Sequence, residues 1–251
     1  MERRKKNVLI NNAFYDGLKE RWYTAVDHPI ALLRAENKLR APWVIAEIER
    51  QAGKGAKILD VGCGAGFLSN ELGAKNFDVT GIDISKDSLQ IAQSYDSTKK
   101  VKYLHGNAYS LPFRDGTFDA VVAMDILEHV EDPAKLIEEA SRVLRQGGLF
   151  FFHTFNRNFI SYLVIIKGVE WCIKNAPMNM HVYDLFIHPK TLINLCEEAD
   201  LSVQKMKGLR PKMTRSFWKM IFSGIVPHDF EFTFCKNFLT GYVGIAIKNE
   251  E

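Results

Sequence analysis

Asp125, Glu128 and His129 offer the clearest chemistry in the sequence. They lie within residues 123–130, Ala-Met-Asp-Ile-Leu-Glu-His-Val, directly after the apolar run AVVAM. Their i, i+3 and i+4 spacing brings the three side chains to one side of a helical turn or tight loop. Two carboxylates favour Mg²⁺ or Mn²⁺, and the imidazole admits Zn²⁺ or Fe²⁺. Two alternatives stay open: the run only begins a helix, or, without a metal, His129 is a general base oriented by Asp125 or Glu128.

A second run, ILDVGCGAGFLS at residues 58–69, predicts a turn that binds a ligand. An apolar strand leads into Gly62-x-Gly64-x-Gly66 and then a helix, and Asp60 lies two residues before the first glycine. Glycines let the backbone pass close to a ligand at the mouth of a sheet. The G-x-G-x-x-G spacing of dinucleotide-binding proteins is absent, which argues against a nicotinamide dehydrogenase. A purely structural turn is the alternative.

The carboxylate of Asp83 follows the next predicted strand, DVTGID. There it can accept both hydroxyl hydrogens of a ribose, unless it is a helix N-cap that competes with Ser85. With the glycine turn, this pattern resembles the class I methyltransferases that use S-adenosylmethionine. Those enzymes carry D-x-G-x-G-x-G and an acidic residue at the end of the second strand, and the resemblance covers residues 57–155.

This resemblance implies a role for each matching residue. Gly62 and Gly64 approach the methionine part of the cofactor, and Asp83 approaches the ribose. Asn107 and Ala108 stand where such enzymes often contact adenine, although Asn107 is equally suited to a turn.

From Lys57, short apolar runs alternate with helical stretches, which predicts an α/β fold. We expect a doubly wound, Rossmann-like methyltransferase sheet, mostly parallel, with an antiparallel closing strand. One helix begins at the N-cap Asp132 and stops at Gly147-Gly148, and prolines 29 and 42 interrupt the helical N-terminus. We divide the single domain 1–251 into a helical cap (1–50), a cofactor-binding core (51–156), an insertion after the fifth strand (157–190) and a closing helix with strands (191–251).

Several further runs narrow the resemblance: ENKLRAPWV, Thr154-Phe-Asn-Arg-Asn158, Glu170, Ala176-Pro177, His181 and Phe186-Ile-His-Pro189. Together they are similar to the ubiquinone-biosynthesis O-methyltransferases, which methylate polyprenyl catechols. The resemblance implies that Arg40 approaches the cofactor's carboxylate and that Met124 contacts the cofactor. It also places Asp125, Glu128 and His129 on the E-x-x-E-H metal triad of that family, and it lets His181 face the substrate.

The sequence departs from the family pattern at three places. The insertion lacks the lysine, glycine and threonine of V-P-K-G-T-H, the first metal ligand is Asp125 instead of Glu, and the L-H-x-I-N-P run before Arg40 is absent. We expect O-methylation of a prenylated catechol in ubiquinone biosynthesis, with S-adenosylmethionine and a divalent ion such as Mg²⁺. The alternative is a metal-independent methyltransferase of another lipophilic small molecule or specialised metabolite.

The insertion NFISYLVIIKGVEWCIKNAP is amphipathic. It predicts a lid or a peripheral contact with membrane lipid, and a helix packed on the domain's own core is the alternative. Basic residues 210, 212 and 215, interleaved with apolar ones, suit anionic headgroups or a solvated loop. Four further histidines have no assignable partner and are expected to be structural: His105, His153, His188 and His228.

Composition excludes several other classes of protein. With 33 Lys+Arg against 30 Asp+Glu, the net charge of +3 does not suggest nucleic acid as the main partner. The four cysteines form no metal-binding or disulfide motif. The N-terminal apolar stretch is too short for a signal peptide, and no run reaches the roughly 18 residues of a membrane span. We therefore expect a cytoplasmic protein, with peripheral membrane contact left open; the sequence does not give its oligomeric state.

Overall fold

The structure is a computed structural model that describes residues 15–177 and 180–250. Residues 1–14 of the predicted cap, 178–179 of the predicted insertion, and residue 251 lie outside this range.

Strands form a single sheet of eight in the order β3-β2-β1-β4-β5-β8-β6-β7. The first five strands are parallel, and β8 runs antiparallel to β5 and to β6. Their bounds are β1 Lys57–Val61, β2 Asp78–Asp83, β3 Lys102–His105, β4 Phe118–Met124, β5 Leu144–Phe155, β6 Leu201–Pro211, β7 Phe232–Cys235 and β8 Gly241–Lys248. The predicted mostly parallel sheet with antiparallel closure is confirmed.

The strand order reverses between β1 and β4, which pair directly. From β1 the chain moves outward through β2 and β3, and it then returns to the other side of β1 with β4 and β5. A crevice opens beyond the carboxyl ends of the strands at such a reversal. The glycine turn follows β1 and Asp125 follows β4, so the order of the strands brings both predicted motifs to the same crevice.

Nine α-helices surround the sheet in the described part of the chain, with shorter 3₁₀ and π segments between them. They are α1 Arg21–Thr24, α2 Ile30–Gln51, α3 Phe67–Ala74, α4 Lys86–Tyr95, α5 Pro133–Val143, α6 Phe159–Ser161, α7 Val169–Cys172, α8 Pro189–Glu198 and α9 Arg215–Ser223. Leu136 of α5 and Leu192 of α8 belong to one buried cluster, whereas Val44 of α2 and Leu72 of α3 belong to another. Each cluster also contains strand residues, so helices cover both faces.

Two predicted boundaries are wrong. Pro42 does not interrupt the N-terminal helix: it lies inside the 22-residue α2, whose residues on both sides of it are buried in the core. Burial therefore outweighs the lost backbone hydrogen bond. The helix that begins at Asp132 ends at Val143 instead of Gly147, because Leu144 already pairs with Phe118 of β4. Gly147, with φ of 68°, belongs to the irregular start of β5.

The predicted insertion, residues 157–190, begins with a nearly continuous helical segment at residues 159–172. This segment consists of α6, a π-helical stretch at Tyr162–Gly168, and α7. Just beyond it, the backbone N–H of Lys174 donates to the carbonyl of Gly224 at the end of α9. Ile173 and Met220 share a buried cluster with Ala31 and Ala35 of α2. The insertion and α9 are thus one substructure that rests on the N-terminal half of α2.

Within the described ranges, no helix combines the length and the apolarity that crossing a bilayer requires.

Candidate active site

The glycine turn after β1 depends on backbone conformations that favour glycine. Gly62, Gly64 and Gly66 have φ values of 72°, 51° and 78°. The backbone N–H groups of Gly62 and Cys63 both donate to the carbonyl of Ile82, at 2.8 and 3.2 Å, which fixes the turn against β2. A methyl group on Gly62 would lie 2.5 Å from Cδ1 of Ile126. Glycine is therefore required both by conformation and by the close approach of the next loop.

Asp83 lies at the end of β2 and faces this turn. Its carboxylate accepts hydrogen bonds from the backbone N–H groups of Gly64 and Ser85, both at 2.8 Å. Ser85 itself caps α4 by accepting from Ser88 N at 3.1 Å, so Asp83 is not the N-cap. Burial raises the pKa of Asp83, and the backbone donors oppose that change. Each carboxylate oxygen retains a second lone pair for a ligand hydroxyl.

Asp60 lies deeper, at the end of β1. It is buried and accepts a hydrogen bond of 2.6 Å from the hydroxyl of Ser69 on α3. Burial raises its pKa to about 6.

A cavity of about 580 Å³ opens at the reversal of the strand order. All eight residues predicted to bind the cofactor line it: Arg40, Asp60, Gly62, Gly64, Asp83, Asn107, Ala108 and Met124. Asn107 also accepts a hydrogen bond of 2.9 Å from the N–H of Tyr109, so its turn role is present as well. The volume and the mixed polar and apolar lining suit a nucleoside-sized ligand.

Arg40 and Asp125 form a buried ion pair at the edge of this cavity. The two terminal nitrogens of Arg40 donate to the two oxygens of Asp125, at 2.7 and 2.5 Å. Glu36 lies 3.3 Å from the same guanidinium, and Nδ1 of His153 bonds to Asp125 from the other side. Burial alone would raise the pKa of Asp125, but Arg40 and His153 hold it well below its ordinary value. Asp125 is therefore held in its anionic form. Its backbone also has a φ of 60°, in the left-handed region.

Glu128 and His129 lie in a 3₁₀ turn, Leu127–His129, beyond β4. Neither Glu128 oxygen has a hydrogen-bond partner of normal geometry within the described residues, although the side chain is almost fully buried. Burial, followed by the charge of Asp125, raises the pKa of Glu128 to about 7. Burial lowers the pKa of His129 to about 4, so the imidazole is neutral at physiological pH.

The three predicted metal ligands, Asp125, Glu128 and His129, do not form a preformed metal site. In the described part of the chain, the group whose ligand atoms all lie within 4.8 Å of one another is Glu36, Asp125 and His153. That group surrounds Arg40, and the Asp125 oxygens are already occupied by Arg40 and His153. The buried carboxylate of Glu128 and the neutral imidazole of His129 have the chemistry of metal ligands, but Asp125 as it lies does not fit.

A second cavity, of about 420 Å³, adjoins the first and is lined mostly by apolar side chains. Both cavities share Tyr15, Leu33, Asp125 and His129, so these four residues mark the junction. Glu128 and His181 line the second cavity alone. The His181 ring packs against His129 and Phe155, with centroid distances of 5.4 and 5.0 Å.

Three residues in or next to this junction were missed or misread from the sequence. The hydroxyl of Tyr15 lies 3.4 Å from Nε2 of His129, yet no local pattern marks Tyr15. Glu36 belongs to a helix whose apolar stripe was the stronger signal. His153 was expected to have no assignable partner, but it contacts Asp125. The one sequence feature that could have indicated this role is the polar character of His153 within the apolar run of β5.

The comparisons with known proteins agree with this geometry. A family of sequences described as a methyltransferase domain matches residues 59–152. A curated ubiquinone biosynthesis O-methyltransferase from Aromatoleum aromaticum is 37% identical over 78% of the chain and 83% of that protein. Another from Actinobacillus pleuropneumoniae is 34% identical over 76% and 82%. The chain belongs to the ubiquinone biosynthesis O-methyltransferase family. It is an S-adenosylmethionine-dependent O-methyltransferase.

Solved structures share the fold of this enzyme. A magnesium protoporphyrin IX methyltransferase from Synechocystis, with bound S-adenosylhomocysteine, has a TM-score of 0.59 at 16% identity and covers 86% of this chain and 84% of its own. A methyltransferase from Methanosarcina mazei that depends on S-adenosylmethionine has a TM-score of 0.57 at 25% identity, covering 82% and 98%. The predicted Rossmann-like methyltransferase fold is thereby confirmed.

We expect Gly62→Ala to weaken binding of S-adenosylhomocysteine at least tenfold. The added methyl group would displace Ile126 and the turn against which the cofactor packs. Isothermal titration calorimetry on folded protein measures the effect. Gly55→Ala is the matched control, because Gly55 has a similar φ of 77° but open space around its Cα. Equal affinities in the two variants would contradict the assignment of the turn to the cofactor.

Proposed function

We propose that this O-methyltransferase methylates a hydroxyl of a prenylated catechol, in the pathway for which its relatives are named. The main support for this proposal is the apolar cavity of about 420 Å³, which meets the larger cavity at Tyr15, Leu33, Asp125 and His129. A lipophilic acceptor in the apolar cavity of about 420 Å³, hereafter the acceptor cavity, would present its polar end at this junction. The transferable methyl group is needed at the same place.

The lining of the acceptor cavity supports a long apolar substituent. It combines side chains from α2, the insertion, α9 and the closing strands: Leu32, Ile165, Val169, Ile173, Phe217, Met220, Ile221, Phe230 and Phe232. Polar and charged groups gather at one end of it, around His129 and Glu128. Such a division suits a molecule with a polar ring and a hydrocarbon tail.

S-adenosylmethionine, when bound, supplies the methyl group as an electrophile. The glycine turn, Asp83, Asn107 and Arg40 line the cavity that would hold it. The fixed side chains of this cavity orient the ligand before reaction, which lowers the entropic part of the barrier.

The acceptor must lose a proton, because a phenol with a pKa near 10 is mostly protonated at neutral pH. Glu128 is buried and lines the acceptor cavity; burial and the charge of Asp125 raise its pKa, and a side-chain hydrogen bond with Thr154 opposes this only in part. With pKa values of about 7 and about 4, Glu128 is a stronger base than His129. We therefore assign proton acceptance to Glu128, with His129 beside the acceptor oxygen. This revises the expectation that Glu128 only orients His129.

The divalent ion predicted from the sequence is the other source of phenolate. Its three ligands do not fit as they lie, because Arg40 occupies both oxygens of Asp125. The proposed transfer therefore proceeds without a metal, and a chelator tests this directly.

The insertion and α9 would also shield the reaction from water and receive the tail. Residues 165, 169 and 173 of the insertion region line the cavity from one side, and residues 217, 220 and 221 of α9 line it from the other. Exclusion of water favours a transfer in which a sulfonium and a phenolate neutralise each other.

We further propose that these two elements rest on an anionic bilayer surface. The exposed fractions of Phe222, Trp171 and Phe159 are 84%, 74% and 70%. Exposed basic residues accompany them: Lys174, Arg215 and Lys219. Apolar side chains with flanking cations suit the boundary of anionic headgroups and acyl chains. The surface adjoins the acceptor cavity, so a membrane-dissolved substrate could enter without crossing water.

We expect purified enzyme to produce S-adenosylhomocysteine when it is given a catechol with one short prenyl chain. Its kcat/KM for this acceptor should exceed that for the unprenylated catechol at least tenfold, because buried methylenes contribute about 0.8 kcal/mol each. Turnover should persist in a chelator. Restoration by Mg²⁺ after chelator inhibition would contradict the metal-free assignment. Demonstrated cofactor binding without turnover of any catechol would instead favour another lipophilic acceptor.

Glu128→Gln should lower kcat about 100- to 10,000-fold, since an amide cannot accept the proton. Affinity for S-adenosylhomocysteine should stay within about twofold of wild type, because Glu128 does not line the cofactor cavity. Steady-state kinetics and calorimetry provide the two measurements. The exposed Glu138 of α5 supplies the control variant Glu138→Gln. A kcat within about threefold of wild type would refute the assignment of Glu128.

The double variant Phe159→Ser/Phe222→Ser should reduce co-sedimentation with vesicles of phosphatidylglycerol and phosphatidylcholine at least tenfold. Neither residue lines the acceptor cavity, so turnover of a short-chain acceptor should be retained. Leu104→Ser removes another exposed apolar side chain, from the edge strand β3, and is the matched control. Failure of wild-type protein to sediment with the vesicles would reject the membrane surface.

A further inference from the structure

His153 is a buried histidine with one engaged nitrogen and one unengaged nitrogen. Its side chain is 0% exposed on β5, and Nδ1 bonds to the carboxylate of Asp125. Nε2 has no hydrogen-bond partner within the described residues. A fully buried polar atom without a partner is costly, so its position calls for an explanation.

His153 is one of the residues that line the acceptor cavity. Gly241 of the neighbouring strand β8 lines it as well. A methyl group on Gly241 would lie 2.9 Å from Nε2, so a side chain at this position would crowd that atom. His129, Glu128 and Asp125 line the same cavity. Nε2 is thus a polar group among the residues that surround the proposed position of the acceptor ring.

Asp125 fixes the orientation of this imidazole. Arg40 holds Asp125 through two hydrogen bonds, and Glu36 lies beside Arg40. Although burial disfavours its charged form, Asp125 raises the pKa of His153 above the ordinary value. A carboxylate on one ring nitrogen sets which hydrogen bonds the other nitrogen can make.

We propose that His153 is a substrate-binding residue whose Nε2 hydrogen-bonds to an oxygen of the acceptor ring. This inference rests on the proposed function, because it assigns the second oxygen of a catechol to His153 while Glu128 takes the proton of the first. As a donor, Nε2–H would stabilise negative charge on the ring oxygens. No covalent step involves His153. Its role is to bind and orient the acceptor.

Two substitutions separate this role from a structural one. His153→Asn places an amide nitrogen near the position of Nδ1, so it retains a donor for Asp125 but loses the group at Nε2. His153→Gln places its amide near the position of Nε2 and loses the donor for Asp125. If His153 binds the acceptor, Asn should be the more damaging replacement. If it only holds Asp125, Gln should be the more damaging one.

The experiment measures kcat/KM for a short-chain prenyl catechol and KM for S-adenosylmethionine in both variants. We expect His153→Asn to lower acceptor kcat/KM at least tenfold, mainly through KM, and His153→Gln to lose clearly less. KM for S-adenosylmethionine should stay within about twofold in both. The exposed His105 on β3 supplies the control His105→Gln.

An acceptor with a single hydroxyl provides the second measurement. Wild type should prefer the catechol to the corresponding monophenol, and His153→Asn should remove at least two thirds of that preference. Equal losses in the two variants, a larger loss in His153→Gln, or an unchanged preference would overturn the proposal. Lack of wild-type turnover with every catechol would instead reject the proposed function, so the two failures are distinguishable.

Discussion

The buried ion pair of Arg40 and Asp125 is the interaction on which the site depends. It joins α2, which lies outside the glycine-turn core, to the end of β4 at the reversal of the strand order. Removing one partner of a buried ion pair typically costs about 3–5 kcal/mol when the other charge is left unpaired. Here Glu36 would remain beside Arg40, and His153 would remain bonded to Asp125. The N-terminal helix is therefore held in position by the same charge that shapes the junction of the two cavities.

Because of this pair, one helix can serve both ligands. Arg40 lines the cofactor cavity, whereas Glu36 and Leu32, one and two turns earlier on α2, line the acceptor cavity. The first half of α2 also supplies the floor on which the insertion and α9 pack. A displacement of α2 would change both cavities and their shared wall together. Pro42 is tolerated in this helix because the packing on both sides fixes its path.

The features that depend on a local sequence pattern could be predicted. Contacts between residues far apart in the sequence could not. The glycine turn and Asp83 follow two consecutive strands, so their shared edge follows from a parallel sheet. Glu36 and His153 meet around Asp125 from positions 89 residues before it and 28 residues after it. No periodicity reports such a meeting. The spacing of Asp125, Glu128 and His129 correctly indicated one site, but it could not show that Arg40 already occupies Asp125.

The distribution of charge suggests why a fixed internal cation can take over part of a metal's work. A divalent ion would stabilise phenolate by placing positive charge beside the ring oxygens. Arg40 already places positive charge beside Asp125, and Nδ1 of His153 bonds to the same carboxylate. An added dication at Asp125 would be repelled by that guanidinium. Glu128, with its pKa raised to about 7, is then a buried group on the acceptor side that can exchange a proton near neutral pH. Positive charge and proton acceptance are thus separated onto different residues, whereas a metal-bound catechol would combine them at one ion.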